Sequence, residues 1–240
     1  MMSKLSTLKG YKLCGLDGEL GSIREFLFDD RDWNVRYLVV ETGNWLMSRK
    51  VLLSLQALTF VSNQKLEITF DLTKKSIEDS PAFDPDIPIT RAFEESLAAH
   101  FGWPAYWASK PTDALNSLAM STKRADSLVG DTIQASDGPI GRIDDFIVDD
   151  EAWILRYLIV DTKKWLPGKQ VLVSPMWIDQ VMADESKVFV GLTQEQIRLS
   201  PEYPEISLPS REYEIGLYRH YDRPGYWQDK SPIMDLPPEG

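Results

Sequence analysis

The apolar positions of the chain fall into short blocks divided by turn residues. SIREFLF (22–28), VRYLVVET (35–42) and VLLS (51–54) are rich in β-branched and aromatic side chains, which suits strands. Their alternation is imperfect, so both faces of the sheet are expected to be partly covered. Shorter strands are predicted near 50–54, 57–62 and 65–70. Asp17-Gly18 lies between β-rich segments and predicts a tight turn, because glycine tolerates positive φ. Gly21 follows where a strand bends or another backbone comes close. The period then lengthens to that of helices. Thr73 caps a short polar helix that Pro81 stops, and Thr90 caps a longer one with Phe93, Leu97 and Phe101 along one face.

The whole pattern then recurs 120 positions later, without a gap from Gly10 on Gly130 to Trp107 on Trp227. Asp137-Gly138 and Gly141 repeat the turn. RIDDFIV (142–148), LRYLIVDT (155–162) and shorter segments near 170–174, 177–182 and 187–191 repeat the strands. Thr193 and Ser210 repeat the caps, and Tyr213, Leu217 and Tyr221 the helical face. Two copies are too few for a solenoid. The expected fold is mainly β with appended helices: two small antiparallel β-barrels related by internal duplication, each followed by a short and a longer helix. A barrel suits many short strands because closure removes exposed edges. The expected division is a first unit over 1–107, a polar linker over 108–127, a second unit over 128–227 and a tail over 228–240.

Charge and cysteine usage narrow the function. The 240-residue chain has a net charge of −11, which counts against broad binding to nucleic-acid backbones, so no nucleic-acid partner is expected. Cys14 is the only cysteine; it excludes an intrachain disulfide and reads as a small strand residue. No apolar run approaches the roughly 18 residues of a membrane span, and the N-terminal stretch lacks a signal-peptide core. A cytoplasmic location is the expectation, with peripheral docking on a membrane but no insertion.

The segments D-G-x-x-G-x-I, E/D-F-x-x-D-D and R-Y-L-V/I-V-E/D-T resemble the PRC-barrel family. In the first copy they are carried by Asp17, Gly18, Gly21, Ile23, Phe26, Asp29, Asp30, Arg36, Tyr37, Leu38, Val40 and Thr42. The second copy has Asp137, Gly138, Gly141, Ile143, Phe146, Asp149, Asp150, Arg156, Tyr157, Leu158, Val160 and Thr162. The family is named for a barrel in the cytoplasmic part of the photosynthetic reaction-centre H subunit, and a related barrel ends a ribosome maturation factor. The resemblance implies non-enzymatic barrels that dock on proteins or at membrane complexes, with no shared catalytic motif and no cofactor. The expected function is therefore a protein-interaction scaffold, docking on a membrane-associated or photosynthetic complex, with a protein partner of unknown identity. Two alternatives are a small-ligand or metal-binding protein with its site between the repeats, and an accessory factor of ribosome or RNA processing.

Candidate chemistry is sparse. DDRDWN (29–34) is not a calcium loop, because Val35 stands where that loop needs glycine; it reads as a solvated hairpin tip. Trp33 and Trp153 sit at the tips, Trp45 and Trp165 just past the next strand, and all four are candidates for partner binding or inter-repeat packing. The two histidines open HFGWPAYW (100–107) and HYDRPGYW (220–227). His100 and His220 read as helix C-terminal caps. Approaching across a pseudo-two-fold axis, they would form a titratable pair, or a zinc site with Glu94 and Glu214. Tyr106, Trp107, Tyr226 and Trp227 read as anchors of the helix exits, with each extension lying on the other repeat's barrel. No catalytic residue is assigned.

Overall fold

The computed structural model describes residues 1–109, 122–162, 169–204 and 207–228. The first repeat opens with β1 (Met2–Lys4) and the one-turn helix α1 (Leu5–Leu8). Its sheet strands are β2 (Lys12–Gly15), β3 (Gly18–Asp29), β4 (Val35–Thr42), β5 (Lys50–Ser54), β6 (Leu58–Ser62) and β7 (Glu67–Phe70). Helices α2 (Lys74–Glu78) and α3 (Arg91–Phe101) follow. The second repeat runs β8 (Thr122–Arg124), α4 (Ala125–Leu128), β9 (Thr132–Ala135), β10 (Gly138–Asp149), β11 (Ile154–Asp161) and β12 (Gln170–Val173). It ends with β13 (Ile178–Met182), β14 (Lys187–Val190), α5 (Gln194–Arg198) and α6 (Arg211–His220).

Each repeat folds around its long second strand. In the first, the order is β5-β4-β3-β2-β7-β6, and the second repeats it as β12-β11-β10-β9-β14-β13. Register shifts between Ile23 and Glu25 and between Leu27 and Phe28 bend β3, so one strand serves β2 at its start and β4 along its length. Apolar side chains of the strands and α2, such as Leu13, Phe26, Leu38, Leu53, Ile68 and Ile77, close over one core.

Three features depart from the expected pair of closed antiparallel barrels. First, β2 pairs with β7, and β9 with β14, in parallel. A strand's side-chain period does not encode the direction of its neighbour. Second, each sheet is an open path among the described residues, ending at β5 and β6 or at β12 and β13. Third, the repeats exchange their leading arms. β1 pairs antiparallel with β10, joining Met2 to Asp149 and Lys4 to Ile147. Reciprocally, β8 pairs with β3, joining Leu27 to Arg124 and Asp29 to Thr122. Each sheet thus takes its seventh strand from the other repeat. Residues 122–127, assigned by composition to the linker, are therefore structural. The arms bury Leu5, Leu8, Ala125 and Leu128. They are held by Ser3 Oγ donating to the buried Asp150 carboxylate at 2.7 Å and by Lys9 on Asp126 at 2.6 Å.

Local chemistry explains why the chain turns where it does. Gly18 and Gly138 take φ of 123° and 150° in the Asp-Gly turns, open to glycine but strained for other residues. The turn aspartates have a second role: Asp17 and Asp137 carboxylates accept the N–H groups of Lys74 (2.9 Å) and Gln194 (2.7 Å) at the starts of α2 and α5. Thr73 and Thr193 complete capping boxes with Ser76 and Gln196. Thr90 and Ser210 cap α3 and α6 by accepting from Phe93 and Tyr213 N–H at 3.2 Å. Gly141 passes β11 so closely that a Cβ would clash with the Asp161 carbonyl oxygen. Gly141→Ala is expected to cost about 1–3 kcal/mol through overpacking, read as a lowered urea midpoint with an unchanged slope.

Candidate interaction site at the junction of the repeats

The hairpin tips meet at the junction. Each begins with an aspartate whose carboxylate folds the turn: Asp29 accepts from Asp32 N–H at 2.6 Å, and Asp149 from the N–H groups of Glu151 and Ala152 at 3.2 Å. The turn places Trp33 and Trp153 in the left-handed region, at φ 56° and 55°. This reverses the chain so that the next residues lace across the pseudo-two-fold axis. Val35 N–H donates to the Trp153 carbonyl at 2.8 Å, and Leu155 N–H to the Trp33 carbonyl at 2.9 Å. Both indoles are buried, and Trp33 stacks on Phe28 with centroids 4.8 Å apart. These tryptophans lie in the inter-repeat core rather than at solvated tips.

Arg36 and Arg156 close the turns onto Asp29 (2.7 Å) and Asp149 (3.1 Å). Partial burial pushes the Asp149 carboxyl up. The N–H of Ala152, the Arg156 guanidinium and the N–H of Glu151 outweigh it, and the pKa lies below the usual aspartate value. A depressed carboxylate adds stability above its unfolded pKa of about 3.9 and loses it as pH falls through the folded value. Asp149→Asn is therefore expected to lower Tm at pH 7 and to narrow the gap from wild type as the pH falls below about 4, read by calorimetry at the two pH values.

The helix exits form a second, internal constellation. Glu94 of α3 is buried and accepts from Tyr37 Oη (3.1 Å) and Tyr106 Oη (2.7 Å), with Arg91 3.0 Å away. Glu214 of α6 repeats this with Tyr157 (2.8 Å), Tyr226 (2.9 Å) and Arg211 (2.9 Å). Arg36 lies over the Tyr106 ring at 4.3 Å, and Arg91 over Trp107 at 4.1 Å. Arg156 over Tyr226 (4.0 Å) and Arg211 over Trp227 (4.5 Å) match them. Burial, with the neighbouring carboxylate, raises the tyrosine pKa values, that of Tyr226 to about 12. These rings therefore donate as neutral phenols at physiological pH. The extensions thus lie on their own barrels; the exchanged element is the leading arm.

The histidines belong to the same clamp. His100 Nε2 donates to the Ser76 carbonyl at 2.8 Å, and His220 Nε2 to the Gln196 carbonyl at 2.6 Å. Each pins its long helix to the short helix of its own unit, as two separate contacts. With Glu94 and Glu214 bound to tyrosines, the zinc arrangement is not assembled. No group of three or more metal-ligating side chains occurs among the described residues. Trp45 donates through Nε1 to the Leu20 carbonyl at 2.8 Å, within its own unit. Trp165 lies outside the described residues. Cys14 sits half-buried in β2, its thiol pKa raised chiefly by burial.

Between the first repeat's tip and the second repeat's sheet lies an open cleft of about 550 Å³. Asp30, Arg31, Asp32 and Trp33 form one wall. The other is built by Arg156, the turn Ser174–Met176, and Ile178–Val181 of β13, with Tyr218 and Tyr226 behind. Neither repeat encloses it alone. Met176, Asp179, Gln180 and Tyr218 were not singled out in the sequence. The available signal was the break in repeat symmetry: Asp179, Gln180 and Tyr218 stand where the first copy has Thr59, Phe60 and Ala98.

Residues 1–77 and 120–197 each match the family model described as PRC-barrel domain. Among curated proteins none matches the chain. No helix among the described residues is long and apolar enough to cross a membrane.

Proposed function

From the premise that the chain belongs to the PRC-barrel family, with two copies of the domain, we propose that it is a non-enzymatic interaction module. It presents one rigid two-barrel body to a protein partner. The observation that carries this reading is the reciprocal exchange of arms, which fixes the geometry between the units. The residues best equipped for chemistry support it, because Glu94, Glu214, His100 and His220 are committed to internal bonds that hold helix to sheet. The open cleft then supplies a recognition surface made by both units. Docking at a membrane-associated or photosynthetic complex is the finer form suggested by the family resemblance.

Affinity capture of the full chain from its host tests the reading. A stoichiometric complex that reforms from purified components is the expected result; failure to isolate one under crosslinking conditions would overturn it. A small-ligand protein is the second reading, favoured by a cleft volume within the roughly 300–1,000 Å³ usual for such sites. Native mass spectrometry of the protein purified from its host separates the two, since a retained small molecule adds mass to the bare chain.

A further inference from the structure

Resting on the interaction-module reading, we propose that a small pocket at the exit of α6 binds a phosphomonoester group carried on a side chain of the partner, held between Arg219 and Arg223. The pocket measures about 270 Å³, and the two arginines line it with Ile215, Tyr218, Trp227 and Gln228. No carboxylate lines it among the described residues. Every other arginine of the chain engages a carboxylate, a carbonyl oxygen or a further partner. Arg219 and Arg223 are exposed, and their guanidiniums engage none among the described residues. In a chain of net charge −11, this lining is a local excess of positive charge.

The turn after α6 brings the pair together. Asp222 takes a left-handed φ of 51°, and Arg223 N–H donates back to the Tyr218 carbonyl at 3.0 Å. Arg219, in the last helical turn, and Arg223, just beyond it, thus share one pocket. Trp227 folds over Gly225, where a Cβ would stand 2.3 Å from the indole. Of the nearby carboxylates, Asp222 and Glu212 stand outside the lining, and Glu214 is taken by Arg211, Tyr157 and Tyr226. Guanidinium forks match the oxygens of carboxylates and phosphates. Two of them balance a phosphomonoester, which carries a charge of about −1.5 to −2 at pH 7, whereas one carboxylate leaves a cation over. The volume lies below the roughly 300–1,000 Å³ of sites that enclose a whole small molecule, so it suits one group on a larger partner. Tyr218 lines both this pocket and the cleft, so the two surfaces adjoin. The first repeat has Ala99 and Trp103 in place of the arginines and Glu95 in place of Ile215, so the site belongs to the second unit alone.

The test titrates the full chain against capped, fluorescent valine-rich peptides with a central phosphoserine, serine or glutamate, read by anisotropy. The phosphoserine peptide is expected to bind, the serine peptide not to, and the glutamate peptide to bind several-fold more weakly than the first. Arg219→Gln and Arg223→Gln should each weaken the phosphopeptide about tenfold, the range for one charge-assisted hydrogen bond. Arg198→Gln removes the same charge from an exposed arginine held by Glu195 on α5 and should leave binding unchanged. Inorganic phosphate should compete more weakly than the phosphopeptide. No difference between the phosphoserine and serine peptides, unchanged affinity in both pocket variants, or an equal loss on Arg198→Gln would overturn the assignment. Inorganic phosphate matching the phosphopeptide would reveal a free-anion site and overturn the partner-borne form. If a captured native partner binds Arg219→Gln and Arg223→Gln as tightly as wild type, the module reading stands and the pocket assignment falls. If the phosphopeptide binds through the arginine pair but no partner complex can be isolated, the pocket stands and the module reading falls.

Discussion

Glu214→Leu is expected to destabilise the protein by about 3–5 kcal/mol, the range for removing one member of a buried charged network. The carboxylate is the acceptor for Tyr157 and Tyr226, and Tyr157 is fully buried. With leucine in place, the Tyr157 phenol keeps no acceptor at this position, and a buried unsatisfied polar group costs about 1–3 kcal/mol. Arg211 adds less, because it is half exposed and regains water. Glu214→Gln keeps an acceptor oxygen and should cost less than half as much. Glu94→Leu should follow the same order, since Tyr37 and Tyr106 converge on it. Urea unfolding of the four proteins checks the ranking; equal midpoints for Glu214→Leu and wild type would show that the clamp contributes nothing to stability.

The second large effect is predicted far from its mutation. Leu5 lies in the first repeat's sequence but is buried on the second repeat's sheet, beside Phe146. Leu5→Ala removes buried methyl groups and leaves a cavity, at an expected cost of about 2–5 kcal/mol. The mirror change, Leu128→Ala, should loosen the first sheet, because α4 packs on β3. Since one core cluster runs through both repeats, denaturation is expected as a single transition for wild type.

Much of the fold was legible because its signals are local. The Asp-Gly turns, the threonine and serine caps, the strand segments and the buried Leu97 and Leu217 depend on neighbours a few residues away. The close approach at Gly21 and Gly141 was readable for the same reason: a missing Cβ marks a crowded backbone. The arm exchange was not legible. A gapless repeat looks identical whether Met2–Lys4 pairs with its own sheet or with its twin's, because both sheets offer the same edge. Parallel pairing of β2 with β7 was hidden likewise, since periodicity specifies faces and not partners.

The site divides along the same line. His100 and His220 were correctly placed at helix ends, but the carbonyls they meet belong to α2 and α5, not to their own helices. Glu94 and Glu214 entered the sequence reading only as zinc-ligand candidates beside the histidines. Their burial follows from the tyrosines of the R-Y-L and P-x-Y-W segments, which are far apart in sequence and converge only in the fold. The cleft needed two repeats whose hairpin tips bond across the junction, and no single segment carries its signature.

The central claim is that each repeat completes the other. Amide hydrogen exchange on Leu5→Ala, followed residue by residue, tests it most directly. Exchange of arms predicts lost protection in β10 and β11 of the second repeat, with β2 and β3 beside the mutation in sequence largely unchanged. Lost protection confined to β2 and β3 would contradict it.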